Sequence, residues 1–270
     1  MTETWLITGA NRGLGRALTE AALAAGHRVV ATVRGDTSLE PSERLRVHRL
    51  DVRDRAGAFA LLGEVGPVDV LVNNAGYGLV GAVEEISEDE ARAIIDTDLF
   101  GALWLTQAVL PGMRARGGGQ VVQISSVGGA GAMPFFGLYN AAKWALEGFS
   151  EALAGEVRGS GIRVTIAELG AVDTHWATGS MRFATPLAAY DRLRREVLGT
   201  EEVPWPVDSD ATGGGATPAE VAAVILAHVA DRADGRLRLV VGDDAPAQLE
   251  AVLEARIEDY RRDPRLSSLG

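Results

Sequence analysis

Short, uninterrupted apolar runs alternate along the chain with longer segments whose apolar residues recur every three to four positions. The runs at 4–8, 28–33, 45–52, 68–72, 120–124, 162–167 and 237–241 show little polar alternation, the pattern of strands buried on both faces. Between them, 14–25, 54–62, 96–116, 139–157 and 246–260 read as helices, and Pro218 opens another at its first turn. Ser87 with Glu90 three residues on has capping-box spacing, and Gly26 stands where a helix C-cap glycine belongs. Strands alternating with helices in this way predict a doubly wound α/β fold: a parallel sheet of about seven strands with helices on both faces.

Nothing in the chain marks a second domain. There is no internal repeat and no Pro/Ser-rich linker, so residues 1–270 are expected to form a single domain. The one break in periodicity is 175–217, which carries Gly213-Gly214-Gly215 and reads as a substrate lid inserted in that domain. With 47% hydrophobic and 23% charged residues, the chain has ample material for a packed core. It has no cysteine, so disulfides and thiolate metal sites are excluded, and His27, His48, His175 and His228 lack metal-ligand spacing. A net charge of −11 argues against nucleic acid as a partner. No apolar stretch approaches the length of a bilayer span and the N-terminus has no signal-peptide pattern, so a cytoplasmic protein without a membrane partner is expected.

The first strand runs into T-G-A-N-R-G-L-G, with Gly9, Gly13 and Gly15 at a strand-to-helix turn. Glycines there let backbone approach a pyrophosphate seated at the helix N-terminus. The second strand ends at Val33, where an NAD-binding chain would carry a carboxylate for the ribose 2′-hydroxyl. Arg34 follows it, and Arg12 stands in the glycine turn. Two guanidinium groups with no acid at the strand end favour the 2′-phosphate of NADP(H). Asp51, at the end of the third strand, is a candidate for the adenine amino group.

One lysine stands among 26 basic residues, Lys143, four residues after Tyr139. Positions i and i+4 share a helix face, so the ammonium is expected beside the phenol, where it favours the phenolate and eases proton exchange near neutral pH. Ser125 and Ser126, ending the fifth strand, point to opposite faces by alternation.

Together T-G-A-N-R-G-L-G, N-N-A-G (73–76), I-S-S (124–126) and Y-N-A-A-K (139–143) resemble the short-chain dehydrogenase/reductase family, over about residues 4–245. The resemblance implies a seven-stranded Rossmann fold, NAD(P)-dependent interconversion of carbonyl and alcohol, and a homodimer or homotetramer. The family's usual spacing selects Ser126 to hydrogen-bond the substrate oxygen, with Tyr139 as proton donor and Lys143 on the nicotinamide ribose. It places the cofactor along Gly9, Asn11, Arg12, Gly13, Leu14 and Gly15. Arg34, Asp51 and Val52 follow on the adenosine side, then Asn74, Ala75 and Gly76, with Gly170, Val172 and Thr174 on the nicotinamide side.

Two positions depart from the family. Asp98 stands where it normally carries Asn, which helps hold a water linking the lysine to solvent. Asp98 is either a tolerated replacement or a participant in proton relay that pairs with Lys143. Leu169 replaces the proline of a P-G pair, which frees a φ angle on the nicotinamide side. Phe135, Phe136 and Trp176 are expected to line an apolar substrate pocket, with Met133, Met181, Phe183, Leu187, Tyr190 and Trp205 close by. Packing of a helical subdomain is the competing account of these residues. Arg182, Arg192, Arg194 and Arg195 could engage an acidic substrate group, but are expected as exposed surface arginines. The chemistry these features favour is reduction of a medium-sized, largely apolar ketone or aldehyde by NADPH, or the reverse. The alternative is a non-redox enzyme (isomerase, dehydratase or cyclase) or a dinucleotide sensor on the same scaffold.

Overall fold

The computed structural model describes residues 2–173, 180–205, 214–266 and 268. A seven-stranded parallel sheet forms its centre: β1 (Thr4–Ile7), β2 (Arg28–Val33), β3 (Leu45–Arg49), β4 (Val70–Asn73), β6 (Gly119–Ile124), β7 (Ile162–Leu169) and β9 (Arg238–Val241), in the spatial order β3-β2-β1-β4-β6-β7-β9. The chain winds outward first to one side of β1 and then to the other. The crevice where ligands bind in such sheets therefore lies beyond the carboxyl ends of β1 and β4.

Alternation along the strands sends residues into two separate cores. In β1, Trp5 and Ile7 join Leu14 and Leu18 of α1 (Gly13–Ala24) and Val221 and Ile225 of α7 (Pro218–Ala230). Leu6 faces the other way, toward Leu61 of α2 (Arg55–Val65), Leu105 and Val109 of α4 (Gly101–Ala115) and Leu153 of α5 (Gly137–Val157). The inner strands are buried on both faces, which is why they carry almost no polar alternation, whereas β9 at one edge alternates exposed with buried residues.

Helix α3 (Glu88–Ile95) starts at the expected Ser87–Glu90 capping box, with Ser87 accepting from the Glu90 amide and Glu90 accepting from the Ser87 amide. The single helix expected over 96–116 is two pieces: a π turn over Asp96–Phe100, then α4. From Glu88 to Ala115 the helical run is long and apolar enough by composition to cross a bilayer. Its Leu105, Val109 and Met113 pack on the sheet, as in a core helix.

The described residues of the insert, 180–205 and 214–217, carry regular elements that its lack of periodicity does not suggest. A three-residue strand β8 (Met181–Phe183) pairs in parallel with β5 (Gly78–Val80), and α6 (Asp191–Leu198) follows. Helix α8 (Ala245–Arg261) closes the chain. Thr174 and Trp176 lie outside the described residues.

Candidate active site

The glycine turn is built for close approach. Gly9 has φ +65°, and a Cβ there would lie 3.0 Å from Ala75 Cα; a Cβ on Gly15 would meet the Gly9 carbonyl at 2.3 Å. Helix α1 begins directly after, with no side-chain cap and no acidic residue in its first turn. The first-turn amides of a helix have no intrahelical partner and suit an anion, and these features fit a dinucleotide pyrophosphate. Asn74 ties the second motif to the first, its Nδ2 donating to the Thr8 and Gly9 carbonyls at 2.8 and 3.3 Å. Thr8 Oγ1 accepts from the Asn74 and Ala75 amides, both at 2.9 Å, and so fixes the edge shared by the two loops. Gly13 and Leu14 open α1, while Asn11 turns back to the Asp36 carbonyl at 3.0 Å.

At the end of β2, where the adenosine is expected, Val33 is buried and Arg34 exposed. Arg12 sits at the opposite edge and reaches Ser180 Oγ of the insert at 2.9 Å. Asp51 is clasped by Arg53, with Oδ2 2.5 Å from Nη2, and that hydrogen bond holds its carboxyl below the usual carboxylate range. Val52 is buried against Gly101.

The catalytic candidates converge from three elements. Tyr139 and Lys143 lie one turn apart on α5, with the ammonium 5.7 Å from the phenol ring centroid. Lys143 is buried and donates to the Ile124 carbonyl at 3.0 Å, which anchors it to the end of β6. Two residues further on, Ser126 hydrogen-bonds the phenol and accepts from the Gly128 amide at 3.1 Å. Ser125 faces away, donating to Glu147 Oε1 at 2.6 Å. Burial pushes the Tyr139 phenol above its ordinary range; the Lys143 charge and the Ser126 hydrogen bond pull it down, and Asp98 pushes it up. The lowering expected from Lys143 is therefore present but outweighed.

Asp98 projects from the π turn into this corner, its side chain wholly buried and Oδ2 3.5 Å from Lys143 Nζ. Both carboxylate oxygens accept from the Tyr77 amide, at 3.1 and 3.3 Å. A Cβ on Gly76 would fall 2.7 Å from Oδ2, so the glycine of N-N-A-G makes room for this side chain. Burial raises the Asp98 carboxyl to about 6, against the pull of Lys143 and the Tyr77 amide.

Beside the tyrosine opens a cleft of about 470 Å³, lined by Met133, Phe136, Leu198, Gly199, Thr200 and Trp205. Phe136 also meets Tyr139 edge-on at 6.4 Å. Phe135 is not a pocket residue. It is buried with φ +71° and packs with Val80, Ala82 and the insert's Met181, Phe183 and Tyr190. The left-handed backbone turns its ring inward while its neighbour faces the cleft. On the nicotinamide side, the Gly170 amide donates to the Val241 carbonyl at 2.9 Å and Val172 bridges to Ala216. A Cβ on Gly170 would strike Asp244, which accepts from the Ala171 amide at 2.8 Å.

Other residues that shape the site were not foreseen. Asn140 clamps the loop between serine and tyrosine, donating to the Gly128 carbonyl at 2.9 Å and accepting from the Met133 amide at 3.3 Å. Its place beside Tyr139 in the motif was the only available signal. Arg194, expected on the surface, is buried. Its guanidinium pairs with Glu85, lies 2.8 Å from Asp191 Oδ1 and covers the Phe135 ring at 5.5 Å. Glu85 also accepts from the Leu187 and Ala82 amides, both at 2.7 Å, which pins the insert to the segment after β5.

A parallel sheet with a glycine turn at its switch point, and a tyrosine, a lysine and a serine brought together at the end of β6, is the arrangement of a nicotinamide-dependent oxidoreductase. The family model for short chain dehydrogenases matches residues 3–182, and the chain belongs to that family. It is 34% identical to oxidoreductase BOA17 of Botryotinia fuckeliana, over 97% of each chain. It is 39% identical to the 3-ketodihydrosphingosine reductase of Bacteroides thetaiotaomicron, over 63% of this chain and 64% of that one. A short-chain dehydrogenase of Streptomyces avermitilis of known crystal structure superposes with a TM-score of 0.86 at 37% identity, covering 98% of both chains.

Proposed function

We propose that the protein is an NADPH-dependent reductase of a medium-sized, largely apolar ketone or aldehyde. The observation that carries this reading is the convergence of Tyr139, Lys143 and Ser126 beside the apolar cleft. When bound, the dinucleotide supplies the hydride. The chain's own residues do the rest. The Ser126 hydroxyl orients the substrate oxygen, the Tyr139 phenol gives it a proton, and Lys143 binds the ribose and stabilises the phenolate left behind. Phe136, Leu198 and Trp205 exclude water and select an apolar body. The relative named for a long-chain keto substrate supports this class. Gly9 to Gly15 and Asn74 to Gly76 would seat the pyrophosphate and inner ribose, with Val172 and Thr174 at the nicotinamide, and Arg34 and Arg12 would take the 2′-phosphate.

The test follows NADPH absorbance with a panel of apolar ketones, for wild type, Tyr139→Phe and Arg34→Asp. Tyr139→Phe is expected to lose at least about 100-fold in rate. Arg34→Asp is expected to narrow or invert the preference for NADPH over NADH. Cofactor binding without turnover of any carbonyl compound would favour the non-redox or sensor reading instead. An unchanged preference for NADPH in Arg34→Asp would remove Arg34 from the 2′-phosphate site, and a wild-type preference for NADH would remove NADP from the proposal.

A further inference from the structure

Of the charged groups in the site, Asp98 has the least ordinary placement. It stands on a π turn, a distortion that often accompanies function, and its side chain is fully buried with Oδ2 3.5 Å from the ammonium of Lys143. Gly76 leaves the space it fills, and the Tyr77 amide holds both oxygens. Lys143 is caught between this carboxylate and the Ile124 carbonyl. The groups that act on the corner are Lys143 and Tyr139 from α5 and Tyr77 after β4, whose ring is covered by Arg182 of β8 at 4.7 Å.

An ammonium alone beside a phenol favours the phenolate. An ammonium paired with a buried carboxylate is a dipole, and much of that effect cancels. We propose that Asp98 is a positioning residue that acts through Lys143 to keep Tyr139 in its protonated, proton-donating form, which biases the site toward carbonyl reduction near neutral pH. The inference rests on the assignment of Tyr139 as proton donor made above. Proton accounting gives it direction. In reduction, hydride adds to the carbonyl carbon while the Tyr139 O–H bond breaks and its proton goes to the oxygen, so the protonated phenol is the competent form. In oxidation the alcohol proton must pass to a phenolate. Holding the phenol protonated leaves the first reaction intact and moves the second to higher pH.

The carboxyl itself titrates at about 6. The bias therefore exists above that pH, where Asp98 is charged, and fades below it, where Lys143 acts unopposed. That behaviour separates an electrostatic role from a merely structural one, which would act at every pH.

Asp98→Asn keeps the shape and removes the charge. Two profiles are measured for wild type and variant: the alcohol oxidation rate against pH, and the ultraviolet phenolate titration of the cofactor-free protein, with Tyr139→Phe identifying the Tyr139 step. In Asp98→Asn both are expected to move to lower pH. Oxidation at pH 7 should be about 3- to 10-fold faster relative to reduction, and the difference should close below pH 6. Superimposable profiles would overturn the inference. Should Asp98→Asn fail to fold, Asp98→Ser removes the same charge and is held to the same outcomes. Wild-type reduction rates in Tyr139→Phe would instead sink the functional reading, and the phenolate titration would still decide whether Asp98 is coupled to Tyr139.

Discussion

Lys143 and Arg194 are both buried cations, and they are held in opposite ways. Arg194 has its guanidinium filled on every side: Glu85 and Asp191 take its two ends and the Phe135 ring lies beneath it. Lys143 has one carbonyl, one carboxylate and a phenol ring 5.7 Å away around a compact charge. A planar fork locked between carboxylates is a fastener, because its charge is spent on its partners. The lysine keeps a field that reaches the tyrosine, and in the proposed function its remaining donors serve the ribose. In a chain with a single lysine, the two cations show where an arginine can stand in for charge and where it cannot.

The largest expected effect breaks that distinction at the site. Lys143→Arg should place a fork where only a point charge fits, between the Ile124 carbonyl and Asp98. The rate constant kcat/KM for carbonyl reduction is expected to fall at least about 100-fold, and cofactor affinity, followed by NADPH fluorescence, should weaken as well. Wild-type values for both would mean that charge alone suffices at this position.

A smaller effect is expected from the converse change in the insert. Arg194→Leu leaves Glu85 buried without its cation, a change that typically costs about 3–5 kcal/mol of stability. Denaturant unfolding should show that loss, and Glu85→Gln added to Arg194→Leu should recover part of it. Because Arg194 holds the wall that carries Leu198 and Trp205, KM for apolar substrates should rise while kcat changes little. A fall in kcat as large as that of Lys143→Arg would mean that Arg194 does more than fasten the insert.

The two cations also differ in how far the sequence reveals them. Lys143 was legible because its partner Tyr139 lies four residues away on one helix, a spacing with fixed geometry. The glycine turn, the strands and the Ser87 cap were legible for the same reason: each is a local pattern. The Arg194–Glu85 pair spans 109 residues, and no local periodicity encodes such a pairing. Phe135 and Phe136 are adjacent and chemically alike, so only the left-handed backbone of Phe135 decides which ring faces the cleft. The π turn escaped because its sequence reads as an ordinary helix; five residues there close one turn and rotate Asp98 inward.

A third cation extends the comparison to a site where acid outnumbers base. Arg238 on β9 faces three carboxylates: Glu168 at 2.9 Å, Glu147 at 3.5 Å, and Glu151. Glu168 is buried, and burial together with the neighbouring Glu147 charge raises its carboxyl to about 7 from 4.5. The folded chain therefore holds a proton there that the unfolded chain has already lost. Its contribution to stability is complete below about pH 4.5 and is lost as pH rises through about 7. Asp98, raised to about 6, adds a slope of the same sign at lower pH. The lowered carboxyls Asp51, Glu220 and Asp263 act only in more acid solution. From pH 6 to 7.5 Glu168 thus contributes the larger part of the slope, with Asp98 completing its titration at the lower end. Thermal melts of wild type should show Tm falling across this interval by about 2–4 °C, and Glu168→Gln should flatten that fall. An equal slope in the variant would show that Arg238 neutralises the whole cluster, and that an excess of acid around one guanidinium leaves no shared proton to lose.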